Sequence, residues 1–525
     1  MNLKTLLTTL CLLCGLQTTV CGQQLEGNSH PSTHSPQFYK APPRKEIRQQ
    51  ITIDGSQAEA FNPMQRASGE YIMKEFPTMG EIKGVVILAA FADVPFSIST
   101  DSINTLLTNR YNADNYTEEI NFNEYSNIYK QKLSLQCTVP GSARDYFRAQ
   151  SFGQFVPSFD VIGPVTLNQK RSYYGANNSS GNDKNTAAMI SDACKKAYSQ
   201  GLTDFTNYDN DGDGTVDFVY VVYAGSDEAQ TGITEAIWAK ASSISLTLGN
   251  GMKMGRYACS GELVIDLPVV AGIGTLVHEF SHVLGLPDFY NTKADDFTMD
   301  AWSVMDYGMY NAEGFVPCGY TAFERYSLGW IPMYTLDEPA TVTMATTEKE
   351  RKGYRVFTSE ADTASFYMLE TISKEGWNRY APANGMLISE VTYDRSTWKG
   401  NTVNAGTKHR HCIVPANNIW EYNPQNYNPT KHLYGNTNHE FSLTSTPKSR
   451  TQFGVAMNKP LTNINYDAGN GVTTFDFLGG GVNVGVDENA YQESEIGVYY
   501  DLLGRPVKQP LKGLYILKGK KVMVR

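Results

Sequence analysis

The sequence is poor in cysteine, histidine and positive charge for its length. The shortage of cysteine excludes a disulfide-built scaffold, and the shortage of positive charge excludes a broad basic surface. Eight cysteines are spread over 525 residues, and three of them fall within the first 21 positions. The other five are widely spaced and odd in number, which excludes a disulfide-built scaffold and predicts at least one thiol with no partner in the chain. These five are Cys137, Cys194, Cys259, Cys318 and Cys412.

The charge balance is mildly acidic, with a formal net charge of −10 and 19% charged residues. This composition gives no broad basic surface, so nucleic acid is not an expected partner. Beyond the N-terminus, no apolar stretch approaches membrane-spanning length, so no transmembrane anchor is expected. The 32 tyrosines and 45 glycines favour β-rich extracellular architecture.

Residues 1–22 have the pattern of a secretory signal peptide. Lys4 precedes an apolar run from Leu6 to Leu16, and small and polar residues lead to Gly22. Cleavage is predicted after Gly22, with Cys21 as the alternative, and lipid attachment to a cysteine here stays open. Residues 23–83 are predicted to be a disordered N-terminal region or pro-segment. The protein is therefore expected to be extracellular or on a bacterial cell surface.

The chemistry of the chain is concentrated in one short segment. His278 and His282, at i and i+4, lie on one face of a helix, where two imidazoles can hold one zinc ion. Glu279 can reach a zinc-bound water and take its proton. Gly285 can adopt the positive φ that ends a helix, and the turn can return Asp288 to the metal as third ligand. The segment predicts a zinc hydrolase, most simply a peptidase.

A structural histidine pair without a metal is the competing interpretation of this motif. A second element downstream, Ser303-x-Met305-x-Tyr307, favours the metal. In this position it resembles the Met-turn of the metzincin peptidases, where a methionine forms an apolar floor beneath the metal. The resemblance implies that Met305 supports the site and that Tyr307 donates a hydrogen bond to the tetrahedral oxyanion.

The third ligand departs from the usual metzincin pattern, which has a histidine where this chain has Asp288. A carboxylate oxygen is an acceptable zinc ligand. Asp288 followed by Phe289-Tyr290 resembles the immune-inhibitor-A family of secreted bacterial metallopeptidases. The likeness covers roughly residues 84–480 and includes segments 84–93, 142–165, 319–330 and 385–391. The carboxylates left open as alternative ligands are Asp295, Asp296 and Asp300.

A second metal site is predicted in an acidic loop between residues 209 and 217. Carboxylates at relative positions 1, 3, 5 and 9, a glycine at 6 and a backbone carbonyl at 7 are typical of a loop that wraps calcium. Tyr220 replaces the position-12 glutamate, so the loop is EF-like without being an EF-hand sensor. An acidic surface turn is the alternative. The predicted calcium ligands are Asp209, Asp211, Asp213, Thr215 and Asp217.

A histidine cluster near residue 410 carries a weaker metal signal. His409, His411 and Cys412 are close in sequence, but Arg410 separates the two histidines. The context predicts exposed loop residues rather than a metal site.

The predicted fold class is α/β (α+β), with a metzincin-like catalytic domain whose zinc helix packs on a mixed sheet. Strands alternate with helices between residues 84 and 225, including an amphipathic helix at 185–200 and an apolar strand at 218–223. From about residue 335, short strands between Asn, Gly and Pro clusters indicate a β-sandwich-like region. We expect a peptidase domain at 84–332 and a β-rich domain at 333–485.

Residues 486–525 are predicted to form a C-terminal β tail. The segments 498–506 and 512–525 resemble C-terminal tails of secreted proteins of Bacteroidetes-type bacteria, some of which are sorting signals for outer-membrane secretion machinery. A β-hairpin that completes the preceding domain is the alternative.

The sequence predicts a secreted zinc-dependent endopeptidase acting on extracellular proteins or peptides, with catalytic Zn²⁺ and structural Ca²⁺. A zinc amidase or mucin-directed peptidase of narrow specificity is one alternative. The other is a surface-binding β-protein with a vestigial metal site, against which Glu279 argues, because such a site needs no general base.

Overall fold

The computed structural model describes residues 78–109, 118–179, 181–359, 361–362, 364–422 and 427–485, and the backbone of four short strands beyond residue 498. The predicted signal peptide and nearly all of the predicted 23–83 region lie outside the described residues. Within these ranges, no helix is both long enough and apolar enough to cross a membrane.

A six-stranded sheet forms the centre of the first part of the chain, residues 78–332. Its strand order is β4-β1-β6-β8-β5, and all of these pair in parallel, while β7 pairs antiparallel along β8. A separate hairpin consists of β2 and β3. The strands are β1 (Gly80–Ala90), β2 (Glu118–Ser126), β3 (Gln131–Val139), β4 (Phe155–Thr166), β5 (Thr215–Val216), β6 (Val219–Tyr223), β7 (Lys240–Thr247) and β8 (Lys253–Gly261).

The strand β1 shows why this sheet lies in the interior. Its continuous apolar run is buried on both faces, as is typical of a parallel strand covered on both sides. Val86 and Leu88 belong to one hydrophobic cluster, and Val85, Ile87 and Ala89 belong to another on the opposite face. The strand begins at Gly80, before the predicted domain boundary at residue 84.

Short helices cover the two faces of this sheet and connect its strands. The α-helices of the chain are α1 (Thr100–Asn104), α2 (Ala143–Gln150), α3 (Arg171–Tyr174), α4 (Thr186–Ser199), α5 (Glu228–Thr231), α6 (Gly274–Val283), α7 (Ala322–Leu328), α8 (Thr347–Glu350) and α9 (Arg395–Lys399). A π-helical turn follows α1 at Thr105–Asn109, and 3₁₀ turns occur at Phe205–Tyr208, Gly249–Gly251, Asp300–Trp302, Tyr307–Gly314, Gly376–Asn378 and Pro429–Lys431.

Helix α6, which carries the predicted zinc motif, is fixed against the sheet by one aromatic side chain. The Phe280 ring lies 4.7 Å from the Phe218 ring and 5.6 Å from the Phe159 ring, centroid to centroid. At the start of α6, a Cβ on Gly274 would lie 1.9 Å from the carbonyl oxygen of Met309. Glycine therefore lets the helix approach the 3₁₀ turn at Tyr307–Gly314 without a clash.

The second part of the chain, residues 333–485, contains two sheets in its described residues. Their orders are β14-β13-β12-β11-β9 and β15-β16-β10-β17, and a single hydrophobic cluster draws residues from both. The strands are β9 (Met333–Thr335), β10 (Ala340–Met344), β11 (Gly353–Phe357), β12 (Ser365–Ile372), β13 (Gly385–Thr392), β14 (His411–Ile413), β15 (Leu461–Asp467), β16 (Val472–Phe477) and β17 (Val482–Gly485). Four short strands follow: β18 (Tyr499–Tyr500), β19 (Pro506–Val507), β20 (Gly513–Leu517) and β21 (Lys520–Val524).

The two parts of the chain share a core. The cluster that contains Phe280 also includes Phe366, Trp398 and Ile413 from the second part. In addition, Glu370 of β12 accepts a hydrogen bond from the backbone of α7 at 3.0 Å. The boundary predicted at residues 332/333 therefore crosses a continuous packed region, and the division into two domains stays a prediction.

The predicted exposure of the histidines near residue 410 is wrong. His409 and His411 are buried, and His411 begins the strand β14. The rings of Phe289 and Phe323 pack 4.5 Å and 4.9 Å from the His411 ring. These partners are distant in sequence, so the local pattern gave no sign of them. The five predicted mature-chain cysteines are all buried in the structure.

A buried carboxyl group in β13 predicts pH-dependent stability. Burial raises the pKa of Glu390 to about 8, above the unfolded value of about 4.3. The neutral form is favoured in the fold, so its contribution to stability is present at low pH and is lost as the pH rises through 8. Glu390→Gln stays neutral and can still accept the Gln452 N–H.

We therefore expect Glu390→Gln to exceed the wild type in free energy of unfolding by at least about 1 kcal/mol at pH 9, and by much less at pH 5. Urea denaturation at both pH values measures this difference. Glu338→Gln, which removes an exposed carboxylate, serves as the control. Equal pH dependence in the wild type and Glu390→Gln would contradict the assignment.

Candidate metal centre

Three side chains converge at the C-terminal end of helix α6. The Nε2 atoms of His278 and His282 each lie 3.2 Å from Oδ1 of Asp288. Gly285, with φ of 100°, turns the chain after the helix and allows Asp288 to return beside the two imidazoles. All three side chains are almost completely buried.

The outer nitrogens of both imidazoles contact backbone carbonyls. His278 Nδ1 lies 2.8 Å from the carbonyl oxygen of Val304, and His282 Nδ1 lies 2.7 Å from that of Leu286. A carbonyl oxygen cannot donate, so each Nδ1 carries the proton. In the neutral imidazole the Nε2 atom then presents a lone pair. Two nitrogen lone pairs and one carboxylate oxygen thus point at one another.

The electrostatics of this cluster require a positive charge. Burial opposes ionisation of Asp288, but the adjacent imidazoles outweigh it and hold the pKa of this carboxyl well below its usual range. Burial likewise lowers the pKa of His282, but the Asp288 charge outweighs it and raises the pKa to about 9. Asp288 Oδ1 has no hydrogen-bond donor other than a protonated imidazole. A proton or a metal cation must therefore balance the carboxylate.

The spacing of the cluster fits a zinc ion. Zinc bonds of about 2.0–2.1 Å at tetrahedral angles place two ligand atoms about 3.3 Å apart. The two measured nitrogen–oxygen separations, 3.2 Å each, match this edge length. Histidine and carboxylate are also the donor types that zinc accepts, and three protein ligands leave a fourth position open.

Glu279 completes the cluster on the same helix. It is 5% exposed, and the potential ligand atoms of Glu279, His278 and His282 all lie within 4.8 Å of one another. A carboxylate at this distance is adjacent to any ion that the imidazoles hold.

The segment with the Met-turn pattern lies directly against the predicted metal ligands. Val304 accepts from His278, and the carbonyl oxygen of Met305 accepts the N–H of Phe289, next to Asp288, at 2.8 Å. The Met305 side chain is completely buried. One short segment therefore contacts the residues on both sides of the candidate site.

Buried polar contacts hold this segment in place. Ser303 donates to Glu324 of α7 at 2.6 Å and accepts the N–H of Met305 at 3.0 Å. Asp306 accepts from Thr298 at 2.6 Å and from three backbone N–H groups. Burial raises the pKa of Asp306 to about 7.

Tyr307 follows these hydrogen-bonded residues in the chain and is half-buried. Its backbone N–H donates to Asp306 at 2.8 Å, and its ring stands edge-on to the Tyr422 ring at 6.0 Å. Tyr422 belongs to the second part of the chain, which therefore contributes to the surroundings of the Met-turn segment. No local sequence pattern indicated this contact.

The alternative carboxylates lie elsewhere. Asp295 is exposed, and Asp296 accepts from Asn291 at 2.6 Å and lies 3.4 Å from His409. Asp300 is buried and accepts from Tyr427 at 2.6 Å, and burial raises its pKa to about 6. Of the four aspartates considered, Asp288 is the one whose carboxylate lies beside both imidazoles.

Two residues that the sequence analysis did not identify form hydrogen bonds with Asp288 and with the turn that precedes it. Asn401 forms two hydrogen bonds with it, one to its backbone N–H and one to its carboxylate, each at 2.7 Å. Trp398 donates to the carbonyl oxygen of Gly285 at 3.1 Å. Asn401 is 113 positions from Asp288, so no local spacing could reveal this contact.

The acidic loop is a compact turn in which three of the predicted ligands cluster. Carboxylate oxygens of Asp209, Asp211 and Asp213 lie within 4.8 Å of one another, near the surface. Asp209 accepts three backbone N–H groups, from residues 212 to 214, at 2.8–3.0 Å. Asp217 instead accepts from Asn210 at 2.7 Å, and burial raises its pKa. Thr215 begins the strand β5.

The sequence of the first part matches a known family. Residues 77–330 match the model of the immune inhibitor A peptidase M6 catalytic domain. Immune inhibitor A of Bacillus thuringiensis subsp. alesti is 30% identical over 196 residues, which cover 31% of this chain and 28% of that protein. The pre-pro-metalloprotease PrtV of Vibrio cholerae serotype O1 is 23% identical over 279 residues, which cover 47% of this chain and 29% of that protein.

The chain thus matches less than a third of the length of each of these relatives. The matched residues contain the whole of α6, Asp288 and the Met-turn segment, but they end before Trp398 and Asn401. The chain therefore carries an immune-inhibitor-A-type metallopeptidase domain.

Proposed function

We propose that the protein is a secreted zinc-dependent endopeptidase that hydrolyses peptide bonds of extracellular proteins. The observation that supports zinc is the convergence of two imidazole nitrogens and the Asp288 oxygen at tetrahedral-edge distances. His278, His282 and Asp288 are the proposed ligands. Neutralisation by protons alone would leave no reason for Glu279 to lie beside the same cluster.

Each nearby residue has a distinct proposed role. A zinc ion here supplies Lewis acidity, which lowers the pKa of water and polarises a peptide carbonyl. Glu279 accepts the proton of the attacking water and passes it to the leaving amine. Tyr307 donates a hydrogen bond to the developing oxyanion. Met305 packs beneath the ligands and does no chemistry.

The finer architecture also belongs to this proposal. A metzincin-like arrangement is supported by the Met-turn segment that contacts His278. A β-sandwich-like second domain is supported by the hydrophobic cluster that two sheets share. Secretion rests on the pattern of residues 1–22, and export through outer-membrane machinery rests on the pattern of the C-terminal tail, in which the structure contains four short strands.

Calcium in the acidic loop is a separate part of the proposal. The hydrogen bonds of these three carboxylates include no cationic side chain, so the carboxylates repel one another. Their hard oxygen ligands favour Ca²⁺ over Zn²⁺. The loop precedes β5 and β6, so an ion here would stiffen the entry to the central sheet.

The first test concerns the general base. Glu279→Gln keeps the size of the side chain but cannot accept the proton, so we expect turnover to fall by at least about a hundredfold while zinc content is unchanged. Cleavage of a peptide library and metal analysis of the same preparation measure both quantities. Glu375→Gln, a surface change, is the control. Near-normal activity in Glu279→Gln would remove this residue from the mechanism.

The second test concerns the third ligand. Asp288→Ala should weaken zinc retention as much as His282→Ala does, because each removes one of three protein ligands. Asp295→Ala, at an exposed position of the same region, should retain zinc like the wild type. Zinc content after dialysis against a weak chelator measures retention, and full occupancy in Asp288→Ala would place the ligand elsewhere.

The third test separates the two metals. Asp211→Ala with Asp213→Ala should lower the melting temperature in calcium to that of the chelator-treated wild type, while zinc stays bound. A charge-matched control is Asp295→Ala with Asp337→Ala, both at exposed positions. If the double variant melts at the wild-type temperature in excess calcium, the loop is an acidic surface turn.

A further inference from the structure

A segment outside the family-matched region encloses the chain around Asp288. From the end of helix α9 onwards, residues 398–404 contact the turn that carries the proposed third ligand. Trp398 Nε1 donates to the carbonyl oxygen of Gly285 at 3.1 Å, and Asn404 Nδ2 donates to that of Phe289 at 2.6 Å. The Trp398 and Phe289 rings also stand edge-on at 5.8 Å. These contacts fix the backbone on both sides of Asp288.

Between them, Asn401 binds Asp288 itself through both ends of its amide. Its Oδ1 accepts the Asp288 backbone N–H, and its Nδ2 donates to Asp288 Oδ2, each at 2.7 Å. Both residues are at most 2% exposed. The second bond occupies Oδ2 and directs Oδ1 towards the imidazoles. Asp288 thereby presents one oxygen to the site, in a fixed orientation.

The backbone conformation of Asn401 also indicates that its side chain is needed for this contact. Its φ of 51° lies in the left-handed region, where glycine is least strained. Asparagine tolerates this region better than most other residues, at some cost. Glycine would satisfy the backbone but would provide neither hydrogen bond to Asp288. The strained position with a buried amide points to a role for that amide.

We propose that Asn401 is a positioning residue of the metal centre, which orients the Asp288 carboxylate for single-oxygen ligation. The inference rests on the proposed function, because it takes Asp288 as the third zinc ligand. It also makes the second part of the chain a component of the catalytic site. A partner that fixes a metal ligand typically changes metal affinity by 10- to 100-fold when it is removed.

The test measures zinc affinity of the full chain by competition with a fluorescent chelator. Asn401→Gly keeps the left-handed backbone and deletes both hydrogen bonds, so the zinc dissociation constant should rise at least about tenfold. Asn401→Asp keeps an acceptor for the backbone N–H but replaces the donor, so it should also weaken zinc. The absorption spectrum of bound Co²⁺ should change in both variants, since it reports the ligand geometry.

A matched control exists at Asn463. This exposed residue also has a left-handed φ, of 52°, and donates to an aspartate, Asp476 Oδ2, at 2.7 Å. Asn463→Gly therefore removes the same kind of contact away from α6 and should leave zinc affinity unchanged within about twofold.

The outcomes separate this inference from the function on which it rests. Wild-type protein that binds no zinc would refute the proposed metallopeptidase site. Wild-type protein that binds zinc, with Asn401→Gly or Asn401→Asp equally tight and spectrally unchanged, would overturn the role of the Asn401 amide. Thermal melts of the metal-free proteins are the fold control. Loss of the metal-free fold in both Asn401 variants, but not in Asn463→Gly, would assign the contact to folding and would also overturn the proposal.

Discussion

The architecture around helix α6 depends on one electrostatic constraint, the burial of a carboxylate between two imidazole lone pairs. A buried charge without compensation costs several kcal/mol or more. In this protein the imidazole tautomers are fixed by the carbonyls of Val304 and Leu286, so both Nε2 atoms face Asp288 Oδ1. The cluster therefore needs a cation at its centre, and either a proton or a metal ion supplies that charge.

The helix that carries these ligands serves packing and chemistry on opposite faces. Its histidines project towards Asp288, while Phe280 projects into a group of aromatic rings, 4.7 Å from Phe218 beside the sheet and 5.1 Å from Phe147 of helix α2. Anchoring by a rigid aromatic side chain limits rotation of the helix about its axis. A rotation of the helix about its axis would move both imidazoles together. The packing of Phe280 therefore limits how far the two imidazoles can be displaced.

Local spacing predicted the parts of the site that are local in the structure. The i, i+4 histidines, the turn at Gly285 and the return of Asp288 depend on a few neighbouring residues, and the structure brings these together. Similarly, the apolar run of β1 indicated a buried strand, although its polar first residues gave no sign that pairing with β4 begins at Gly80. The exposure of His411 was misjudged because its partners come from two distant segments.

The contact of Asn401 with Asp288 could not be predicted from local spacing, for the same physical reason. A buried asparagine reveals its role only through its partner, and that partner is 113 positions away. The match to the peptidase M6 catalytic-domain model ends at residue 330, yet the shared core, the Trp398 and Asn401 contacts and the Tyr422 ring all join the second part to the candidate metal centre. These contacts hold Asp288 and flank the Met-turn segment, so the surroundings of the candidate site extend beyond the family-matched segment.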